Sequence, residues 1–204
     1  MLEEIYIGNF NEIIDFRNKM QLNKEDSIII LGDAGICWRK DKKDMKEYIE
    51  RWEQVDDTPM LYFIDGNHES FDILNSLPTY NGEGVLSEHI RWLKRGTVKD
   101  FNGKKCLCIG GADSVDKFRR IKHLSWWEDE QITQEDIDRC PIGTYDYVFS
   151  HACPLSIFKD NSMYLSDPQY IDIDFDHTSE ERLDQLKDKI QFNNWWFRTL
   201  SQKY

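Results

Sequence analysis

Three short apolar runs, each ending abruptly in a polar loop, constrain this chain more than any other feature. They are Ser27-Ile28-Ile29-Ile30-Leu31, Met60-Leu61-Tyr62-Phe63-Ile64 and Asp146-Tyr147-Val148-Phe149-Ser150. A strand with one wet face alternates apolar and polar residues, whereas a continuously apolar run has both faces covered. Amphipathic stretches separate the early runs. Phe10, Ile13, Ile14 and Met20 recur at roughly helical spacing before the first, and Met45, Tyr48, Ile49 and Trp52 do so before the second. Further on, Ile90–Leu93, Thr97–Phe101, Asn102-Gly103 and residues 104–110 read as a strand cluster, and Asn-Gly is the strongest short hairpin signal. Asn9 with Glu12, and Thr178 with Glu181, fit the capping-box pattern. The second box precedes Leu183, Leu186 and Ile190 on one helical face, and residues 194–197 read as a last strand. Doubly covered strands alternating with helices, followed by hairpin-linked strands, predict a layered α/β fold with parallel and antiparallel pairing.

With 204 residues, 40% of them hydrophobic and 13% aromatic, there is material for one packed domain spanning residues 1–204. Thirty-eight acidic residues against 26 basic ones give a formal charge of −12, a field that opposes approach to nucleic acid or anionic lipid. No stretch nears the roughly 18 consecutive apolar residues of a membrane span, so no membrane partner is expected. The opening Met1-Leu2-Glu3-Glu4 lacks the basic and apolar regions of a signal peptide. Five cysteines, an odd number lying mostly in apolar runs, fit reduced buried thiols better than a disulfide framework. The chain reads as cytosolic.

The chemistry-bearing residues come directly after the apolar runs. Gly32-Asp33 follows the first, Asp65-Gly66-Asn67-His68-Glu69 the second and Ser150-His151 the third. In open α/β sheets, sites form where loops leave the carboxyl ends of strands. Carboxylate oxygen, amide oxygen and imidazole nitrogen brought to one edge suit a borderline divalent ion such as Mn, Fe or Zn. Gly32 and Gly66 would allow a sharp backbone turn beside such an ion. Each dipeptide alone is also ordinary turn chemistry, so these residues by themselves leave a metal site and structural turns both open.

Taken together, these segments closely resemble the calcineurin-like metallophosphoesterases, in particular a small bacterial and phage branch. The resemblance rests on Ile30-Leu31-Gly32-Asp33-Ala34-Gly35-Ile36, Gly66-Asn67-His68-Glu69 and Ser150-His151-Ala152-Cys153-Pro154. A middle segment, Ile109-Gly110-Gly111-Ala112-Asp113-Ser114-Val115-Asp116-Lys117 with Arg119 or Arg120, Trp126-Trp127 and Glu130, adds to it. The resemblance implies a four-layer α/β/β/α sandwich of mixed sheets, carrying two metals about 3.5–4 Å apart that act on a phosphoester substrate. It implies that Asp33 bridges the metals, that Asn67 and His151 ligate the second, and that His68 assists the phosphoryl group or protonates the leaving oxygen. Asp65, Arg119 and Arg120 are candidates for the substrate rim, arginine being well shaped to grip phosphate oxygens.

Two of that family's five motifs are missing. Where Asp-x-His-Gly should follow the opening strand, the sequence reads Ile5-Tyr6-Ile7-Gly8-Asn9-Phe10. Where Gly-His-x-His should follow the last strand, it reads Arg198-Thr199-Leu200-Ser201, and no histidine follows His177. The domain is therefore expected to be truncated at its C-terminus, with at most one divalent metal site occupied. Glu3, Glu4, Asp172, Asp174, Asp176 and His177 lie near the gaps, but an exposed acidic loop is the simpler reading of the Asp172–Asp176 run. The expected protein is a phosphoester-hydrolase scaffold with an incomplete dinuclear centre, weakly active or a pseudoenzyme. Two alternatives stay open. One is a residual one-metal phosphoesterase, or one completed by a homo-oligomer or another protein partner; the other is a non-catalytic acidic binding or inhibitor protein reusing the fold.

Overall fold

The computed structural model describes residues 10–38, 42–160 and 176–198. The expected opening strand at Ile5 and Ile7, the Asn9 cap, and Glu3, Glu4, Asp172 and Asp174 lie outside the described residues.

Two mixed sheets stack face to face. The first holds β1 (Ser27–Leu31), β2 (Met60–Ile64), β3 (Thr79–Tyr80), β4 (Glu83–Val85) and β5 (Ile90–Leu93) in the order β1-β2-β5-β4-β3. Strands β1, β2 and β5 are parallel, and β4 and β3 are added antiparallel. The second holds β6 (Thr97–Phe101), β7 (Lys104–Ile109), β8 (Thr144–Ser150) and β9 (Gln191–Phe197), in chain order. Here β6 and β7 form a hairpin, while β7, β8 and β9 run parallel. The hairpin turn is Asn102-Gly103, with both residues at positive φ (53° and 77°), the backbone that an Asn-Gly pair adopts with least strain.

The apolar runs divide their residues between two interiors. Ile28, Ile30, Leu61 and Phe63 face helices α1 (Phe10–Met20) and α2 (Lys43–Glu53), packing with Phe10, Ile13, Tyr48 and Trp52. The alternate residues Ile29, Leu31, Tyr62 and Ile64 face the second sheet, where they meet Cys106, Cys108 and Phe149. On its other side the second sheet packs Leu107, Ile109 and Val148 against α4 (Gln134–Arg139) and α6 (Thr178–Lys189), through Ile137, Leu183 and Leu186. Short helices α3 (Phe71–Leu74) and α5 (Leu155–Asp160) also lie among the described residues. The order helix, sheet, sheet, helix is the expected four-layer sandwich, and it explains why three runs lost all polar alternation.

Two local expectations differ from the structure. Thr178 and Glu181 do not form a capping box: His177 occupies the N-cap, and the Asp176 carboxylate accepts both the Thr178 N–H at 3.2 Å and its hydroxyl at 2.7 Å. Asp176 simply reaches those donors first. A capping box does form at the start of α4, between Thr133 and Asp136. The last strand begins at Gln191, three residues before the expected Asn194, because its pairing with β8 extends to Thr144. All five cysteines are free thiols, four of them buried. Among the described residues no helix is long and apolar enough to cross a membrane.

Candidate metal centre

Three strand ends converge at one edge of the sandwich. β1 delivers Asp33, β2 delivers Asn67 and His68, and β8 delivers His151. The β1 turn is tight: Gly32 and Asp33 both have positive φ (87° and 49°). For Asp33 that backbone costs on the order of 1 kcal/mol, and such strain persists where surrounding contacts over-determine it. The contacts are visible. A Cβ on Gly32 would overlap the His151 ring, and one on Gly66 would lie 2.7 Å from the Asp33 backbone nitrogen and 2.9 Å from His151 Nε2. Both glycines are required by close approach.

The two Asp33 oxygens have different duties. Oδ1 accepts the backbone N–H groups of Asn67 at 3.1 Å and His68 at 3.0 Å, locking the β1 and β2 loops together. Oδ2 is left facing His151 Nε2 at 3.5 Å and Arg198 at 3.3 Å. His151 Nδ1 lies 2.7 Å from the Leu31 carbonyl oxygen. A carbonyl only accepts, so Nδ1 donates to it, and in the neutral ring Nε2 presents a lone pair. That lone pair looks at Asn67 Oδ1, 3.4 Å away, and the Asn67 amide is oriented by its Nδ2 donating to Ser114 Oγ at 3.0 Å.

These three atoms fit a divalent ion. Donors about 2.1 Å from a common centre stand about 3.4 Å apart in tetrahedral geometry, and here the two measured separations are 3.4 and 3.5 Å. Among the described residues no three His, Cys, Asp or Glu side chains are grouped to hold a metal. Asp33 and His151 are two side chains of those types, and the Asn67 amide oxygen stands beside them.

Beneath the centre, Glu69 is buried, its two oxygens accepting the N–H groups of Ala34 and Gly66, both at 2.7 Å. Burial, reinforced by the Asp33 charge, pushes its carboxyl well above the ordinary range. Beside the centre, His68 stacks on Trp38 with ring centroids 4.9 Å apart, and its Nε2 lies 3.0 Å from an Arg120 guanidinium nitrogen. Guanidinium only donates, so Nε2 accepts and the His68 proton sits on Nδ1. That Nδ1 is buried and has no hydrogen-bond partner among the described residues. Burial, helped by Arg120, holds the imidazole below its ordinary pKa although Asp33 pulls the other way.

The rim candidates separate. Arg120 is at the site, donating to the Asn67 carbonyl at 3.0 Å and pairing with Asp116 at 2.7 Å. Arg119 is exposed and lies over its neighbour Phe118. Asp65 is not on the rim at all. It is fully buried, accepting from Trp92 Nε1 at 3.0 Å and Arg95 at 2.8 Å, and Arg95 also reaches Asp136 at 2.9 Å. Burial disfavours the Arg95 charge, but the two carboxylates outweigh it and raise its pKa. Nothing in the sequence pattern assigned a role to Ser114, Trp38, Arg95 or Arg198. Glu69, also without an assigned role, had a signal in its place in the Gly-Asn-His-Glu tetrad.

The sequence model of the calcineurin-like phosphoesterase family matches residues 6–190. The chain belongs to that family. No curated protein matches it. In this chain the matched region contains Asp33, Asn67, His68, Arg120 and His151, so the family match and the converging strand ends concern the same residues.

Proposed function

We propose that this calcineurin-like phosphoesterase is a metal-dependent phosphoester hydrolase reduced to a single-ion centre, turning over slowly. The observation that carries the reading is the convergence of Asp33 Oδ2, Asn67 Oδ1 and a lone-pair-bearing His151 Nε2, each fixed by a second hydrogen bond on its own group. These three residues would hold the ion. When bound, a divalent ion neutralises charge on the phosphoryl oxygens and acidifies the attacking water. One ion supplies part of the charge a pair would, and an amide oxygen is a weak donor, so low affinity and a low rate result.

The protein's other groups serve the phosphoryl transfer directly. His68 Nδ1–H, buried and unpartnered, donates a hydrogen bond to a phosphoryl or leaving-group oxygen. Its depressed pKa keeps the ring neutral near pH 7, so this donor role fits it better than delivery of a full proton from an imidazolium. Arg120 positions rather than reacts: it grips the Asn67 carbonyl and His68 Nε2, fixing the ring and its tautomer. Trp38 holds the opposite constraint by stacking.

The test is hydrolysis of an aryl phosphodiester with and without manganese. Slow, saturable, manganese-dependent turnover, lost in Asp33→Asn and His151→Ala, is expected. No turnover above background at saturating manganese, or turnover indifferent to both substitutions, overturns the reading.

A further inference from the structure

Asp33 Oδ2 already has a cation beside it. Strand β9 pairs with β8 through Ser150 and Phe197, so residue 198 leaves the sheet at the edge where His151 leaves it. The Arg198 backbone N–H donates to the His151 carbonyl at 3.2 Å, which anchors the arginine to the centre. From there one guanidinium nitrogen reaches the Gly32 carbonyl oxygen at 3.4 Å and Asp33 Oδ2 at 3.3 Å. The side chain is only 16% exposed, and Asp33 5%. A pair so shielded from water interacts more strongly than a surface ion pair. The oxygen it holds is the one Asp33 oxygen not committed to backbone N–H groups.

We propose that Arg198 is an internal competitor for the metal centre: its guanidinium occupies Asp33 Oδ2 in the metal-free protein and must yield that oxygen to a divalent ion. This rests on the single-ion reading above. Three features favour competition over a purely structural role. A guanidinium carries a positive charge, so it repels an incoming cation. It engages the same oxygen that the ion needs. Its other contact, with the Gly32 carbonyl, involves no group that the proposed ion would use. The metal-free protein is thereby latched, with Asp33 neutralised without an ion, and metal affinity is set by the difference between two cations competing for one carboxylate.

The experiment is calorimetric titration of manganese into the metal-free full chain, as wild type, Arg198→Gln and Arg198→Lys, with circular dichroism as a folding control. Arg198→Gln should bind manganese at least about tenfold more tightly, about 1.4 kcal/mol, with one ion per chain. Arg198→Lys keeps the charge and should stay near wild type. A residue that merely supports the fold would give the opposite sign, since loosening Asp33 and His151 weakens binding. Should Arg198→Gln not fold, Arg198→Met keeps the aliphatic stem, removes the charge and carries the same expectation. Wild-type binding with equal or weaker affinity in the neutral variants sinks the competition and leaves the metal centre standing. Absence of binding in every protein, wild type and neutral variants alike, sinks the metal centre itself and the competition with it.

Discussion

Glu180 offers a stability measurement independent of any ligand. It lies in the first turn of α6, buried against Asp113, with His177 Nδ1 3.9 Å from its carboxylate and Asp176 nearby. Burial, then the charges of Asp113 and Asp176, pushes its carboxyl from an ordinary 4.5 up to about 8, and the protonated acid shares a hydrogen bond with Asp113. The folded state therefore binds this proton more tightly than the unfolded chain does. Its contribution is intact below pH 4.5 and is lost as pH rises towards 8. At about 1.4 kcal/mol per pH unit, the gap between 4.5 and about 8 sets a ceiling near 5 kcal/mol. Water reaching the side chain, which keeps 10% exposure, reduces this to roughly half. Glu180→Gln retains an N–H donor for Asp113 and does not ionise. Urea unfolding between about pH 5 and about pH 9 should show wild type losing roughly 2–3 kcal/mol more than the variant. Glu130, raised to about 7 mainly by burial, gives both proteins a slope of the same sign, so their difference isolates Glu180. Parallel curves for the two proteins would refute the reasoning.

Other outcomes rest on the contacts at and beneath the centre. Arg95→Met leaves Asp65 and Asp136 buried without their shared partner and should cost about 3–5 kcal/mol in urea unfolding; a loss under about 1 kcal/mol would show that the pair is not needed. Gly66→Ala forces a Cβ against the Asp33 nitrogen and His151 Nε2, so manganese affinity should fall at least about tenfold while the fold, read by circular dichroism, persists. His68→Ala should lower kcat about a hundredfold or more with little change in manganese affinity. Arg120→Lys keeps charge but loses the fork that holds His68 and Asn67; it should lower kcat more than it raises KM.

Residues carried by strand ends were legible in the sequence. Ser27–Leu31, Met60–Ile64 and the run ending at Ser150 announced doubly covered strands. Loops that leave parallel strands at their carboxyl ends share one edge, so Asp33, Asn67 and His151 meet. The same apolar continuity hid which of two alternating sets faced the helices, because Ile28 and Ile29 look alike in a sequence while facing different interiors. Asp65 was misplaced on the rim for a related reason. It stands beside Gly66 in the motif, but its partners Trp92 and Arg95 lie some thirty residues away and leave no local signature. Arg119 and Arg120 differ only through the short 3-10 turn that aims one inward and the other at solvent. Arg198 is invisible until the β8–β9 register is known, since that pairing alone brings it to Asp33.

The most direct test is the manganese bound by the intact chain at equilibrium with saturating free ion, measured by equilibrium dialysis for wild type and His151→Ala. The account predicts one manganese per wild-type chain and near none in the variant. Two ions per wild-type chain, none at all, or the same content in both proteins would contradict it.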